Sequence, residues 1–327
     1  MRLAQSSARF LVVTPLVSVI IPCYNAERWL AATLDSALAQ TWTVLEIIVV
    51  NDGSHDGSLR LARRFEARGV RILDQPNRGA SATRNAGLRV ARGEFIQFLD
   101  ADDLLTPEKI ARQVALLSTA ARGSIAAGPW GRFETDPVAA VFVPEENWRD
   151  CDPVTWLILN FRGRGMMPPA AWLTPRAIVE RAGSWDERLT LNDDGEFFCR
   201  ALLASAGVRF CRDARTLYRS NVPCSLSGRH TSAAWRSALL SQQLCAQHLL
   251  ARENTPRTRA ACADLLRRLA FAVWRDDHAL AAECEAEARA YGGSKLLPEG
   301  GRLHQLVART LGWRTAQSFR GWRQRVR

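Results

Sequence analysis

Over the first hundred residues, apolar positions come in short blocks separated by longer periodic stretches. Residues 17–21 (VSVII) form a run rich in β-branched side chains, as expected of a strand buried on both faces. Leu30, Leu34, Ala37 and Leu38 follow at helical spacing, with Asn25 placed to cap that helix. Residues 45–51 (LEIIVVN) read as a second buried strand. Residues 56–69 read as an amphipathic helix with Leu61, Ala62 and Phe65 inward and Gly69 as its stop. Residues 70–75 and 94–100 are further strands, and residues 80–93 are a helix closed by Gly93. Strand and helix alternating over short connections predict an α/β fold: a mostly parallel central sheet with helices on both faces. Ligands of such sheets sit at the carboxyl ends of the strands. Pro22 to Asn25, Asn51 with Asp52, and Asp100 to Asp103 should therefore converge on one crevice.

Beyond residue 123 the pattern loosens. Residues 166–175 (MMPPAAWLTP) read as a proline-rich loop, residues 177–189 as a short helix and turn, and residues 194–207 as a helix. From about Thr231 to Tyr291 the chain reads as helical, so a C-terminal helical region is expected after the α/β part. This organisation gives an extension over 1–15, a main domain over 16–225 with halves meeting at 123/124, a helical region over 226–302 and a basic tail over 303–327.

Composition adds limits. At 327 residues, 47% hydrophobic and 24% charged, the chain can bury a sizeable core. It has no apolar stretch of about 18 residues or more, so no spanning helix is expected. The first residues make a poor signal peptide. Eight cysteines are scattered without a C-x-x-C pair, which reads as reduced thiols in the cytoplasm rather than a zinc site. Net charge is +11, and only two of the 44 basic residues, Lys109 and Lys295, are lysine. Six arginines and no acid lie between Leu303 and Arg327, with Leu303, Leu306, Val307, Leu311 and Trp313 spaced as an apolar stripe. Such a segment could dock on an anionic lipid surface at the inner face of the plasma membrane, or it could be a solvated tail or a packed helix.

The chemistry concentrates in few places. FLDADDLLTP (98–107) puts Asp100, Asp102 and Asp103 within four positions after a buried strand. Such a cluster suits a hard divalent cation, Mg²⁺ or Mn²⁺, and equally suits a turn or helix cap. Tyr24 could stack on a nucleobase or simply line a rim. Asp52 could accept from a base or ribose, or form an Asp-Gly turn. Arg84 could grip a phosphate through its planar fork, or be a surface arginine. Asp193 and Asp194 could raise one another's pKa, as a general base requires, or cap a helix.

VSVIIPCYNAERWL, EIIVVNDGSHDGS, NRGASATRNAGL with ARGEFIQFLDADD, and NDDGEFFCRALL occur in that order over roughly residues 16–220. Together they resemble the inverting family-2 glycosyltransferases of non-processive bacterial type, which have the Rossmann-like A-type glycosyltransferase fold. The resemblance implies a nucleoside-diphosphate sugar donor, typically UDP-linked, bound by residues 16–123, with the acceptor and base in residues 124–225. It implies that Pro22 and Tyr24 line the base pocket, that Asp52 contacts the base, and that Arg84 lies by the base and diphosphate. Asp100 and Asp102 match the family's D-x-D, with Asp102 the metal ligand and Asp100 on the ribose side. Asp194, six residues before Arg200, matches the catalytic base; Asp193 stands where a glutamate is usual, which leaves the choice within the pair open. The implied acceptor is a saccharide or lipid-linked hydroxyl in surface polysaccharide, lipopolysaccharide or glycolipid synthesis. Trp172 or Trp185 could face that acceptor or pack in the core. The processive signature Q-x-x-R-W is absent; AAWRS (233–237) reverses it.

Two other classes fare worse. A nicotinamide enzyme needs G-x-G-x-x-G after its first strand, where this chain has PCYNAE. An inactive relative acting as a nucleic-acid-binding or membrane-surface module would draw on the basic tail, but all the expected acidic positions are filled.

Overall fold

The computed structural model describes residues 14–222, 228 and 231–318. Residues 1–13 of the expected 1–15 extension, Cys224 and the last nine residues lie outside the described part. Strands β1 (Val17–Cys23), β2 (Leu45–Asp52), β3 (Val70–Gln75) and β4 (Phe95–Phe98) alternate with helices α1 (Glu27–Leu38), α2 (Ser58–Arg63) and α3 (Ala80–Val90). After them come β5 (Leu104–Leu105), α4 (Lys109–Thr119), β6 (Ser124–Ala127), β7 (Trp130–Phe133), α5 (Pro153–Phe161), β8 (Thr174–Pro175), α6 (Arg176–Ala182), α7 (Asp193–Leu203), β9 (Gly207–Phe210) and β10 (Thr216–Arg219). Helices α8 (Ser232–Arg252), α9 (Pro256–Val273), α10 (His278–Ala290) and α11 (Arg302–Thr310) complete the order.

The main sheet runs β3-β2-β1-β4-β8, parallel except for β8. Side chains alternate faces along a strand, and the two faces build two cores. Ile20, Ile48, Val50 and Phe98 pack with Ala86 of α3 and with α5 and α7. Val19, Ile21, Ile47 and Val49 pack with Leu30 and Leu34 of α1 and Ile110 of α4. Helices thus cover both faces, which is why β1 and β2 read as largely apolar runs.

A smaller sheet, β5-β10-β7, lies beyond the carboxyl end of β4 and mixes parallel and antiparallel pairs. Its strands are two to four residues long, too short to show a period in the sequence. Helices α8–α10 form a third core around Leu266, Leu269, Val273 and Leu280. Ala308, Trp313 and Ala316 enter that same core, so the helical region and the first part of the basic segment share one interior.

Several local expectations need correction. Asn25 does not cap α1: it takes a left-handed φ of 49°, and its Oδ1 accepts from the His55 backbone N–H instead. The 56–69 helix breaks into α2 and a 3₁₀ turn over Glu66–Arg68, which Gly69 ends at φ 84°. Helix α3 ends at Ala91, before Gly93. Gly93 instead allows a close approach, since a Cβ there would sit 2.5 Å from the Ser18 nitrogen and 2.8 Å from the Leu16 carbonyl. Trp172 and Trp185 are both buried among aromatic rings, not presented to an acceptor.

Lys109 is wholly buried and donates to Gln97 Oε1 of β4 and, at 3.0 Å, to the Trp172 carbonyl. Burial holds its pKa well below the usual lysine value. The pocket fits a slender ammonium, not a planar guanidinium. Lys109→Arg is expected to cost about 1–3 kcal/mol by overpacking, read as a lower denaturation midpoint with unchanged m-value.

Candidate functional site

The carboxyl ends of β1, β2 and β4 meet the amino ends of α3 and α7, and the acidic side chains gather there. The first of them organises the crevice wall. Asp52 ends β2 beside Gln75 of β3, and its Oδ1 accepts from Gln75 Nε2 at 2.8 Å and from the Arg78 backbone N–H at 2.9 Å. Its Oδ2 accepts from the Gly79 N–H at 2.9 Å. A buried carboxylate on the neighbouring strand thus satisfies donors at the start of α3, where Gly79 has no capping side chain of its own. Asp52 is more than an Asp-Gly turn. Pro22 pairs with Val50 near the end of β1, and Tyr24 just beyond is 42% exposed with its ring edge toward His55.

Arg84 is the hub. It projects from α3, is 4% exposed, and bonds two carboxylates at 2.8 Å: Asp193 through Nη1 and Asp100 through Nη2. Its guanidinium lies 4.5 Å over the Trp185 ring, which stacks on Phe197 of α7. Burial alone would lower its pKa, but the charges of Asp193 and Asp100 outweigh that and raise it. Arg84 Nε has no partner among the described residues. The next residue, Asn85, bonds the Trp185 backbone through both ends of its amide and so fixes the turn before α7.

The acid pair at the start of α7 divides unequally. Asp193 is buried and accepts from Arg84 and, at 3.1 Å, from Ser81 Oγ. Asp194 is half-buried and, among the described residues, accepts only from the adjacent Gly195 N–H, at 2.9 Å. Burial, then the charge of Asp193, raises Asp194 to a pKa of about 7; Arg84 moderates the rise. Arg200 pairs with neither acid. It bonds Glu196, which His248 of α8 also meets at 3.2 Å.

The trio after β4 divides similarly. Asp100 is held by Arg84. Asp103 is buried and accepts from the Arg219 backbone N–H at 2.8 Å; burial, then Asp102 and Asp100, push its pKa well up. Asp102 has no side-chain hydrogen-bond partner among the described residues, and burial, then Asp100, raise it to about 6. The loop is braced by Arg219, whose Nε donates to the Asp102 carbonyl at 2.9 Å and whose guanidinium lies 4.3 Å from both the Trp29 and Phe133 rings. Arg219 escaped the sequence reading because it lies more than a hundred residues from the acids it braces, in a strand too short to be recognised. Among the described residues no cluster of three or more His, Cys, Asp and Glu side chains forms a protein-only metal cage. A cleft lined by Glu94, Phe95, Arg122 and Glu180 lies at the amino end of β4, away from these acids.

Residues 18–163 match the family described as Glycosyl transferase family 2. An uncharacterized glycosyltransferase of Bacillus subtilis, EpsJ, is 31% identical over 221 residues, 65% of this chain and 63% of its own length. Another from Escherichia coli, YibD, is 47% identical over 96 residues, 29% of this chain and 28% of its own. This chain therefore spans under two thirds of each of these relatives. Among solved structures, S. aureus TarS 1-349 in complex with UDP-GlcNAc superposes with a TM-score of 0.70 at 19% identity, over 94% of this chain and 91% of that one. The mannosyltransferase PcManGT from Pyrobaculum calidifontis, in complex with GDP-Man and Mn²⁺, superposes at 0.55 and 20% identity, over 94% and 85%. The folding pattern is that of the A-type glycosyltransferases, with a helical region after it.

Proposed function

We propose that this chain, which belongs to glycosyl transferase family 2 through its residues 18–163, moves a sugar from a nucleoside diphosphate to an acceptor hydroxyl with inversion, and that Asp194 is its base. The observation that carries the reading is the division within the acid pair. Asp193 is committed to Arg84 and Ser81, whereas Asp194 keeps a free oxygen and a pKa near neutrality. A base works best with its pKa near the working pH. Asp194 takes the proton of the acceptor hydroxyl as that oxygen bonds the anomeric carbon from the face opposite the nucleotide. The bond from that carbon to the diphosphate oxygen breaks, and the nucleoside diphosphate leaves with the electron pair. The transition state has oxocarbenium character, as in glycoside hydrolysis.

On the donor side, Pro22 and Tyr24 border the base pocket. Asp52 holds the turn into α3 beside that pocket. Asp100 faces the ribose side with Arg84 behind it. The residues fit a divalent cation, Mg²⁺ or Mn²⁺: Asp102 offers a carboxylate without a side-chain hydrogen-bond partner among the described residues, raised in pKa by burial and then by Asp100, and Asp100 has an oxygen beyond its Arg84 bond. A cation held there would supply countercharge for the departing diphosphate. UDP is the favoured nucleotide, supported by the UDP-GlcNAc in TarS, and GDP is the rival, supported by the GDP-Man in PcManGT. The acceptor is a saccharide or lipid-linked hydroxyl of cell-envelope polysaccharide or glycolipid synthesis, met at the cytoplasmic side. An inactive binding module is disfavoured, because it would have no use for Asp102 and Asp194, two half-buried carboxylates that no ion pair among the described residues takes up. Asp102→Ala is expected to weaken UDP binding in Mn²⁺ by more than about tenfold while leaving the metal-free affinity unchanged. Titration calorimetry showing equal affinity in Mn²⁺ would remove Asp102 from metal binding.

A further inference from the structure

Helix α11 is pinned on one side and bare on the other. Ala308 on α11, followed by Trp313 and Ala316, enters the core of α9 and α10. Glu285 of α10 clamps the segment: it accepts from Trp313 Nε1 at 3.1 Å and pairs with Arg314 at 3.2 Å and Arg267 at 2.7 Å. The orientation of α11 is therefore set by the fold. At about 100° per residue, the side opposite Ala308 carries Leu303, Leu306 and the flanking Arg302, with Leu311 just beyond the helix. Those three leucines are 62%, 57% and 64% exposed, and they make up three of the seven large exposed hydrophobic side chains among the described residues.

Arg302 and Arg309 border the leucines and are exposed, and no acid occurs from Arg302 to Arg327, a span holding seven arginines. A fixed helix with outward leucines and a cationic rim matches an anionic lipid surface, into whose headgroup boundary such a face sinks. A second copy fits poorly, since facing α11 helices would bring arginine rims together with no acid between them.

We infer that the α11 face docks this protein on anionic lipid bilayers. The sequence stripe divides between two tasks: Val307 and Trp313 face the protein, and Leu303, Leu306 and Leu311 face the lipid. The inference stands independently of the assignment of Asp194.

The test is co-sedimentation of the full chain with vesicles of phosphatidylcholine alone or mixed with phosphatidylglycerol. Variants are Leu303→Gln/Leu306→Gln/Leu311→Gln and Arg302→Gln/Arg309→Gln. The wild type is expected to partition more than about tenfold better onto the anionic vesicles, and the leucine variant to lose about tenfold or more of that with an unchanged melting temperature. The arginine variant should lose the anionic preference. Equal partitioning by the leucine variant would overturn the inference, as would a lipid-free dimer seen by light scattering that the leucine variant abolishes. Absence of wild-type binding to either vesicle would overturn it too.

Discussion

Asp194→Asn is expected to lower turnover by about 10²- to 10⁴-fold, the usual contribution of a positioned base, with donor affinity retained. Asparagine keeps the shape and can still accept from the Gly195 N–H, but it cannot take a proton. In the wild type, kcat/KM should rise with pH through about 7, the value to which burial and Asp193 bring this carboxyl. That limb should vanish in the variant, leaving a low rate that is flat across neutrality. Stability should move the other way. The folded pKa lies above the unfolded carboxylate value, so between the two the native state binds more protons than the unfolded chain. Wild-type stability therefore falls as pH rises through that window. Asp194→Asn removes the penalty and should raise the melting temperature at pH 8 but not at pH 4. A catalytic loss with a stability gain separates a base from a helix cap, whose loss would cost stability.

Arg84→Met is expected to be more damaging to the fold. It removes the one side-chain cation paired, among the described residues, with Asp193 and Asp100 while leaving both carboxylates in place. Breaking a buried ion pair from one side typically costs about 3–5 kcal/mol, because the stranded charge is uncompensated. The methionine chain can still lie on Trp185, so the loss is electrostatic more than steric. Chemical denaturation checks this; a loss under about 1 kcal/mol would mean that the paired charges contribute little to the fold. Turnover should fall as well, because a displaced Asp193 no longer sets the field around Asp194.

The contrast between these residues shows what could be read from the chain. Strands β1 and β2 were legible because each is buried on both sides and so appears as a largely apolar run, whereas the half-exposed edge strand β3 and the short β4 were legible from their place in the strand–helix alternation. Asp52, Asp100, Asp102 and Asp194 were legible as candidates because they stand where such runs or helices begin and end. Their division of labour was not. Asp193 and Asp194 are chemically identical neighbours, and Arg84 and Ser81, 109 and 112 positions away from Asp193, distinguish them. Asn25 looked like a cap because its type and place suited one, yet a left-handed backbone and a bond to His55 claimed it. Lys109 carries no signal in the sequence of its burial against β4. Trp172 and Trp185 carry no periodic signal that separates a core ring from a sugar platform. The strands of the small sheet depend on partners as far as 113 residues away and leave no local trace.

The most direct test is to incubate the purified chain with a panel of UDP- and GDP-linked sugars in Mn²⁺ and to measure free nucleoside diphosphate over time, beside Asp194→Asn. Release from at least one donor, cut more than about a hundredfold by the substitution, is predicted. No release from any donor, or equal release by the variant, would contradict the assignment of this crevice to sugar transfer with Asp194 as its base.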